Sequence, residues 1–348
     1  MQTTLTGMLI AATVFSATAQ TKTADRVFQF QHTDTVQKFM EVATLIHRIT
    51  GIGRVTTDEN EKSLELRGTA EELTLADWLF QQLDQPQLDD PNNKSTAVHE
   101  YTMDSGSENV VRIFYLTNTP TVQTFQEVAT LIRTTADIRR VLTYNAPRAM
   151  VVRGTVDQVA LAAWLVKAID QSASSGDSVE YRMPATSDPR GETVVRLFHI
   201  AHAASIQDFQ EVATAIRTIA DIRRVFTYNE PRIFVARGTA EQIVLVKWLV
   251  QQMDQPAMGQ SGAMTGQTSA AYDYPNPYDA ANIVRIFYLR SSTVQDFQQT
   301  ATQIRSKTGI RRVFTYNAPR AMAVRGTVDQ VAMADRMVKE LDTPASKQ

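Results

Sequence analysis

The residues with chemistry to offer are few, and they recur. Five histidines (His32, His47, His99, His199, His202) are the only neutral-pH bases, and no cysteine accompanies them. His199-x-x-His202 has a spacing that can ligate a metal, but no third ligand stands near it in sequence. Without cysteine there is no thiolate zinc site, disulfide framework, iron–sulfur cluster or Cys nucleophile. Neither G-x-S-x-G, a P-loop nor a dinucleotide fingerprint occurs, so no cofactor and no catalytic constellation is expected. Asp84, Asp170, Asp254 and Asp342 occur at regular intervals near expected helix ends. A carboxylate there opposes the helix macrodipole, so each is read as structural, held by a local hydrogen-bond partner.

More is carried by three other recurring sets. Arginine pairs stand at Arg139-Arg140, Arg223-Arg224 and Arg311-Arg312, each leading into a Tyr-Asn-x-Pro-Arg turn that begins at Tyr144, Tyr228 or Tyr316. The three tryptophans, Trp78, Trp164 and Trp248, each lie ten residues after a glycine, and the fourth equivalent is Arg336. Guanidinium and indole are stacking and docking groups more than reacting ones. Either the tryptophans fill the cores of their own units, or the Trp-bearing helix meets the hairpin side of the next unit with Arg–Trp stacking. The second reading makes Trp, Arg pair and Tyr the candidate inter-unit contacts.

The elements that must position these residues form a repeat. Arg26-Val-Phe-Gln-Phe30, Arg112-Ile-Phe-Tyr-Leu116, Arg196-Leu-Phe-His-Ile200 and Arg285-Ile-Phe-Tyr-Leu289 are four versions of one strand-like segment. In the second copy Val122, Phe125, Ala129 and Ile132 then mark an amphipathic helix, with Thr121 as N-cap, and Ser205 and Thr293 at the same place in later copies. Two strand-like runs joined at an Asn-x-Pro turn follow. An Arg-Gly-Thr tripeptide closes the second run, with glycines at 68, 154, 238 and 326, spaced 86, 84 and 88 residues apart. Its threonines, Thr69, Thr155, Thr239 and Thr327, open capping boxes with Glu72, Gln158, Gln242 and Gln330. The order strand–helix–strand–strand–helix in about 60 residues predicts an α+β unit, a small sheet with two helices on one face. Short added strands are expected before units two to four, around His99–Met103, Val179–Met183 and Ala270–Tyr274. Leu88–Ala97 and Ala257–Ser269 read as linkers. The expected organisation is 1–19 signal peptide, then units at 25–86, 98–171, 178–256 and 270–344.

This ordered set, with Arg153-Gly-Thr155, Arg237-Gly-Thr239, Leu83-Asp84 and Leu341-Asp342 as anchors, resembles the secretin N-domain (NolW-like, KH-like fold), repeated four times over roughly two thirds of the chain. The resemblance implies a periplasmic, non-enzymatic ring-building and partner-docking module. The sequence ends at Gln348 shortly after the fourth unit, so the pore-forming barrel of that family is not expected. The alternative is a KH-like nucleic-acid binder. Against it stand the net charge of −2 and the lack of the Gly-x-x-Gly clamp: Gly51-Ile-Gly53 does not supply one.

Met1 to Gln20 carries an apolar run from Leu5 to Phe15 and then Ala17-Thr18-Ala19, the pattern of a secretory signal, although no Lys or Arg precedes the run. No later segment is long enough to span a membrane. The expectation is an exported interaction or scaffold protein, periplasmic or secreted. Its expected partners are proteins, either envelope secretion components or a second copy of itself. Units this small bury little surface alone, so burial from neighbours is expected, with the terminal units atypical.

Overall fold

The computed structural model describes residues 22–86, 88, 99–170, 179–274, 281–290 and 293–342. The signal-like segment and most of Leu88–Ala97 lie outside the described residues. The first unit comprises β1 (Thr23–Gln29), α1 (Val36–Thr50), β2 (Arg54–Asp58), β3 (Ser63–Thr69) and α2 (Ala70–Leu83). The second adds a leading strand: β4 (His99–Thr102), β5 (Val110–Tyr115), α3 (Val122–Thr135), β6 (Arg140–Tyr144), β7 (Ala149–Gly154) and α4 (Val156–Ile169). The third repeats this as β8 (Glu180–Arg182), β9 (Val194–His199), α5 (Ile206–Ala220), β10 (Arg224–Tyr228), β11 (Ile233–Gly238) and α6 (Ala240–Met253). The fourth runs through β12 (Tyr272–Asp273), β13 (Ile283–Tyr288), α7 (Val294–Thr308), β14 (Arg312–Tyr316), β15 (Ala321–Gly326) and α8 (Val328–Leu341).

Each unit has its own antiparallel sheet. The first has the order β1-β3-β2, and the others gain the leading strand on the outer edge, as in β4-β5-β7-β6. The helices start where the sequence places them. Thr69, Thr155, Thr239 and Thr327 each accept from the N3 backbone N–H, and the N3 Glu or Gln side chain returns to the cap N–H. That returning side chain explains the glycine just before each threonine. A Cβ at Gly68 would stand 2.9 Å from Glu72 Oε2, and one at Gly238 would stand 2.8 Å from both Gln242 Oε1 and Ile222 Cδ1. Ala257–Ser269 differs from a linker: Met258 N–H donates to Ala318 O, Ser269 N–H donates to Ile286 O, and Met264 packs on a core.

The units are not separate bodies. One continuous apolar core joins α1 and α2 to Val111, Ile113, Tyr144, Ala149 and Val151 on the second sheet. A second core joins α3 and α4 to Val195, Leu197, Tyr228, Ile233 and Val235, and a third joins α5 and α6 to Val284, Ile286, Tyr316, Ala321 and Ala323. Each sheet from the second onward therefore carries its own helices on one face and the preceding unit's helices on the other. A sheet with helices on one face describes a unit taken by itself. In the chain the layers alternate, sheet on helices on sheet, from end to end.

Both ends of this stack are polar. On the free face of the first sheet, Asp25 and Glu65 stand where Val111 and Val151 stand in the second unit, and both are exposed. On the outer side of the last helix pair, Lys307 replaces the buried Ile219 and Arg336 replaces Trp248. Met333 is 37% exposed where Leu245 is fully covered. These are the capping repeats that a stacked array requires.

Candidate inter-unit interface

The functional side chains of the repeat gather at the three joints, and each joint is built in the same way. α1, α3 and α5 lie across the second-face side of the next sheet. From the middle of these helices Glu41 accepts from the backbone N–H (2.9 Å) and side-chain amide (3.2 Å) of Asn145, the Asn of the hairpin turn. Glu127 accepts from Asn229 N–H (3.3 Å), and Glu211 from Asn317 N–H and Nδ2 (2.9 and 2.8 Å). In α7, with no following unit among the described residues, the same position is the exposed Gln299.

The C-termini of these helices are held by the arginine of the Arg-Gly-Thr tripeptide. An α-helix ends with carbonyls that lack intrahelical donors and with partial negative charge, so a guanidinium placed there satisfies both. Arg153 Nη1 donates to Ile49 O and Thr50 O (2.8 and 3.0 Å), Arg237 Nη1 to Thr135 O (2.7 Å) and Arg325 Nη1 to Ile219 O (3.0 Å). Each Nε also donates to a carbonyl of its own unit, those of Glu108, Glu192 and Ala281. Arg237 and Arg325 are only 2% and 1% exposed. The first-unit counterpart, Arg67, has no preceding helix among the described residues and pairs with Asp25 at the surface, 3.6 Å away. This arginine was visible in the sequence only as part of a motif, with no sign that it crosses to another unit.

The arginine pairs divide their work. The second members point into the joints: Arg224 reaches Asp137 of the preceding unit (3.2 Å), and Arg312 reaches Asp221 (3.1 Å). Asp137 stands two residues past α3 and Asp221 directly follows α5, both in left-handed backbone with φ 57° and 54°. Arg140 pairs with Glu108 of its own unit at 3.1 Å. The first members, Arg139, Arg223 and Arg311, are exposed and form no ion pair among the described residues. Tyr144, Tyr228 and Tyr316 are buried beneath the preceding unit's helices.

The tryptophans are half-buried and meet a tyrosine of the next unit's leading strand. Ring centroids lie 5.6 Å apart for Trp78–Tyr101, 5.4 Å for Trp164–Tyr181 and 5.1 Å for Trp248–Tyr272, all tilted. Arginine stacking occurs elsewhere, over Phe114, Phe198 and Tyr274. Each joint is thus gripped on two sides, by the first helix on the hairpin and by the second helix on the leading strand. Trp164→Ala is expected to lower stability in urea by about 2 kcal/mol, combining lost apolar burial with the aromatic pair. Arg336→Ala, at the equivalent but unpartnered position, should stay within about 0.5 kcal/mol.

A further charge group fills the second joint. Asp188, on the loop between β8 and β9, accepts from Arg224 and Arg237 (2.8 Å each) and from Arg190 N–H. Burial alone would raise its pKa, but the Arg190 N–H and the two guanidinium groups hold it below the ordinary carboxylate value. A carboxyl lowered on folding stabilises the protein above its unfolded pKa of about 4, and the gain is lost as pH falls further. The gap in thermal midpoint between wild type and Asp188→Asn should therefore be full at pH 7 and close as pH drops below about 4.

The repeated aspartates are structural, although their partners are not local. Asp84 accepts from the N–H groups of Gln31, His32 and Thr33, and Asp170 accepts from Thr117 and Asn118. Asp254 and Asp342 do the same for Ala201, His202 and Arg290. Each carboxylate fastens the end of the unit to the loop after its first strand, more than fifty residues earlier. His202 Nδ1 sits 3.4 Å from Asp254, and among the described residues no three His, Asp or Glu side chains gather as a metal site. Among those residues, too, no helix is long and apolar enough to cross a membrane.

No family model and no curated protein matches this chain. Among solved structures the chain is similar to secretin N-terminal domains. Aeromonas hydrophila ExeD is 15% identical, with 68% of this chain and 42% of that one covered and a TM-score of 0.16. The N-terminal domain of the secretin XcpQ from Pseudomonas aeruginosa is 12% identical, with 67% and 100% covered and a TM-score of 0.22. Escherichia coli K12 GspD, a type II secretion system secretin, is 10% identical, with 68% and 40% covered and a TM-score of 0.16. The chain thus spans about two fifths of the length of ExeD.

Proposed function

We propose that this protein is a non-enzymatic, exported scaffold: a stack of four secretin-N-like modules that holds protein partners at the cell envelope, within or beside a secretion or pilus-type machinery. The observation that supports this most is where the recurring polar side chains go. Glu41, Glu127 and Glu211, the Arg-Gly-Thr arginines and Arg224 and Arg312 are engaged in joining one unit to the next. A chain that spends its charged groups on fixing the relative positions of its modules gains a long, defined surface for docking. The motif order shared with secretin N-domains and the signal-like first twenty residues support the envelope setting.

Charged side chains on the outer faces, Asp25 and Glu65 on the first unit and Lys307 and Arg336 on the fourth, disfavour apolar stacking of one copy on another. The test is purification of the tagged full-length chain from cross-linked envelopes, with its N-terminus and solution mass determined. A mature N-terminus near Gln20, a monomeric mass and stoichiometric recovery of a secretion or pilus component support the reading. An uncleaved cytosolic chain recovered with RNA would overturn it in favour of the KH-like alternative.

A further inference from the structure

The three joints are alike except in their charge at one point. At the second and third joints the repeat position at the end of the first helix is an aspartate, Asp137 two residues past α3 or Asp221 directly past α5, whose carboxylate meets Arg224 or Arg312 of the next unit. At the first joint this residue is Gly51, so Arg140 lacks that carboxylate and keeps only Glu108. A second difference acts in the same direction. Arg48 stands on α1 where the other units carry Thr134, Thr218 and Ser306. One acid is missing and one base has been added, a change of two charges at a single spot.

The result is an open cleft of about 410 Å³ between α1 and β6, lined by His47, Arg48, Gly51, Arg139, Arg140 and Leu142, among other residues. Among the described residues no acidic side chain lines it. Arg48 and Arg139 are exposed and without an ion-pair partner among the described residues. The protein's own second and third joints show what group this geometry accepts, namely a carboxylate on a short side chain.

We propose that the first-joint cleft docks an aspartate or glutamate side chain of a protein partner, which supplies from outside the carboxylate that Asp137 and Asp221 supply from within. The proposal rests on the scaffold reading and adds to it the chemistry of the partner, an acidic segment. Charge-assisted pairing to two or three guanidinium groups gives orientation and salt-sensitive affinity, with Leu142 as the apolar wall.

Gly51→Asp is the natural test, because it transplants the residue of the other joints. The backbone there has φ 83°, in the left-handed region that Asp137 and Asp221 occupy, and the new Cβ would lie 3.6 Å from Arg140 Nη2, an ordinary contact. The probe is a fluorescein-labelled peptide of alternating Asp, Gly and Glu, titrated with the full chain and read by anisotropy. An Asn/Gln version serves as control. Expected are one site for the acidic peptide, at least tenfold weaker binding for Gly51→Asp and for Arg139→Gln, and an unchanged or raised thermal midpoint for Gly51→Asp. The double substitution Thr218→Arg, Asp221→Gly should create a second site at the third joint.

Affinity unchanged by Gly51→Asp, or no binding of the acidic peptide at low salt, would overturn the proposal. So would tighter binding of a single-stranded oligonucleotide of equal charge that Gly51→Asp abolishes, which would make the cleft a phosphate site. None of these results touches the scaffold reading, which stands or falls on envelope recovery.

Discussion

Val235→Glu is expected to cost about 4 kcal/mol in denaturant titration, most of the stability that a domain commonly has. Val235 lies on β11 and is fully covered by the helices of the preceding unit. A carboxylate there has no donor to meet and must either ionise in an apolar layer or take up a proton. The substitution is not foreign to the repeat, since the same position in the first unit is Glu65, exposed on a sheet face that no described residue packs over. What differs is only the presence of a preceding helix pair. Glu65→Val should accordingly change stability by less than about 1 kcal/mol while adding an apolar spot to a free sheet face, seen as concentration-dependent association. If Val235→Glu cost no more than 1 kcal/mol, the second face of that sheet would not be packed as described.

The repeat, its element order and its helix starts were legible because they are local. Thr155 and Gln158 are three residues apart, and Val122, Phe125, Ala129 and Ile132 follow a period that a helix alone determines. Contact between neighbouring units is legible as an expectation, but the double covering of each sheet is only partly so. Val110-Val-Arg-Ile-Phe-Tyr115 carries apolar residues on both faces of the strand, the mark of a sheet covered twice, whereas Asp25 and Gln29 flank Val27 on one face of β1. Comparison between units flagged Trp248 against Arg336, and it could equally have flagged Glu211 against Gln299. Both residues lose their role where no unit follows. The tyrosine that each tryptophan meets is hard to read for a different reason: Tyr101, Tyr181 and Tyr272 sit on short strands of variable sequence, and the hairpin has the stronger sequence pattern. The crossing of Arg153, Arg237 and Arg325 to another unit spans about one hundred residues, beyond the reach of any local motif.

That long reach makes Arg237 the most informative polar residue. Its Nη1, Nη2 and Nε donate to Thr135 O, Asp188 and Glu192 O respectively, and it is almost wholly buried. Arg237→Ala removes the cap from α3, takes one of two guanidinium partners from Asp188 and leaves a hole in the joint. Breaking a buried pair on one side costs about 3–5 kcal/mol, and the loss here should fall in that range. Arg237→Lys should recover little, because an ammonium cannot reach three acceptors in the guanidinium's planar fork. Arg67→Ala, the same motif position in the first unit, should stay within about 0.5 kcal/mol, since its ion-pair partner among the described residues is Asp25 at the surface. Hydrogen exchange separates a joint from a residue that merely supports its own fold. If Arg237 ties two units together, its loss must weaken protection at the end of α3 in the second unit as well as in β11 of the third. Loss confined to the third unit would show that each module stands alone and that the shared cores contribute little to holding the stack.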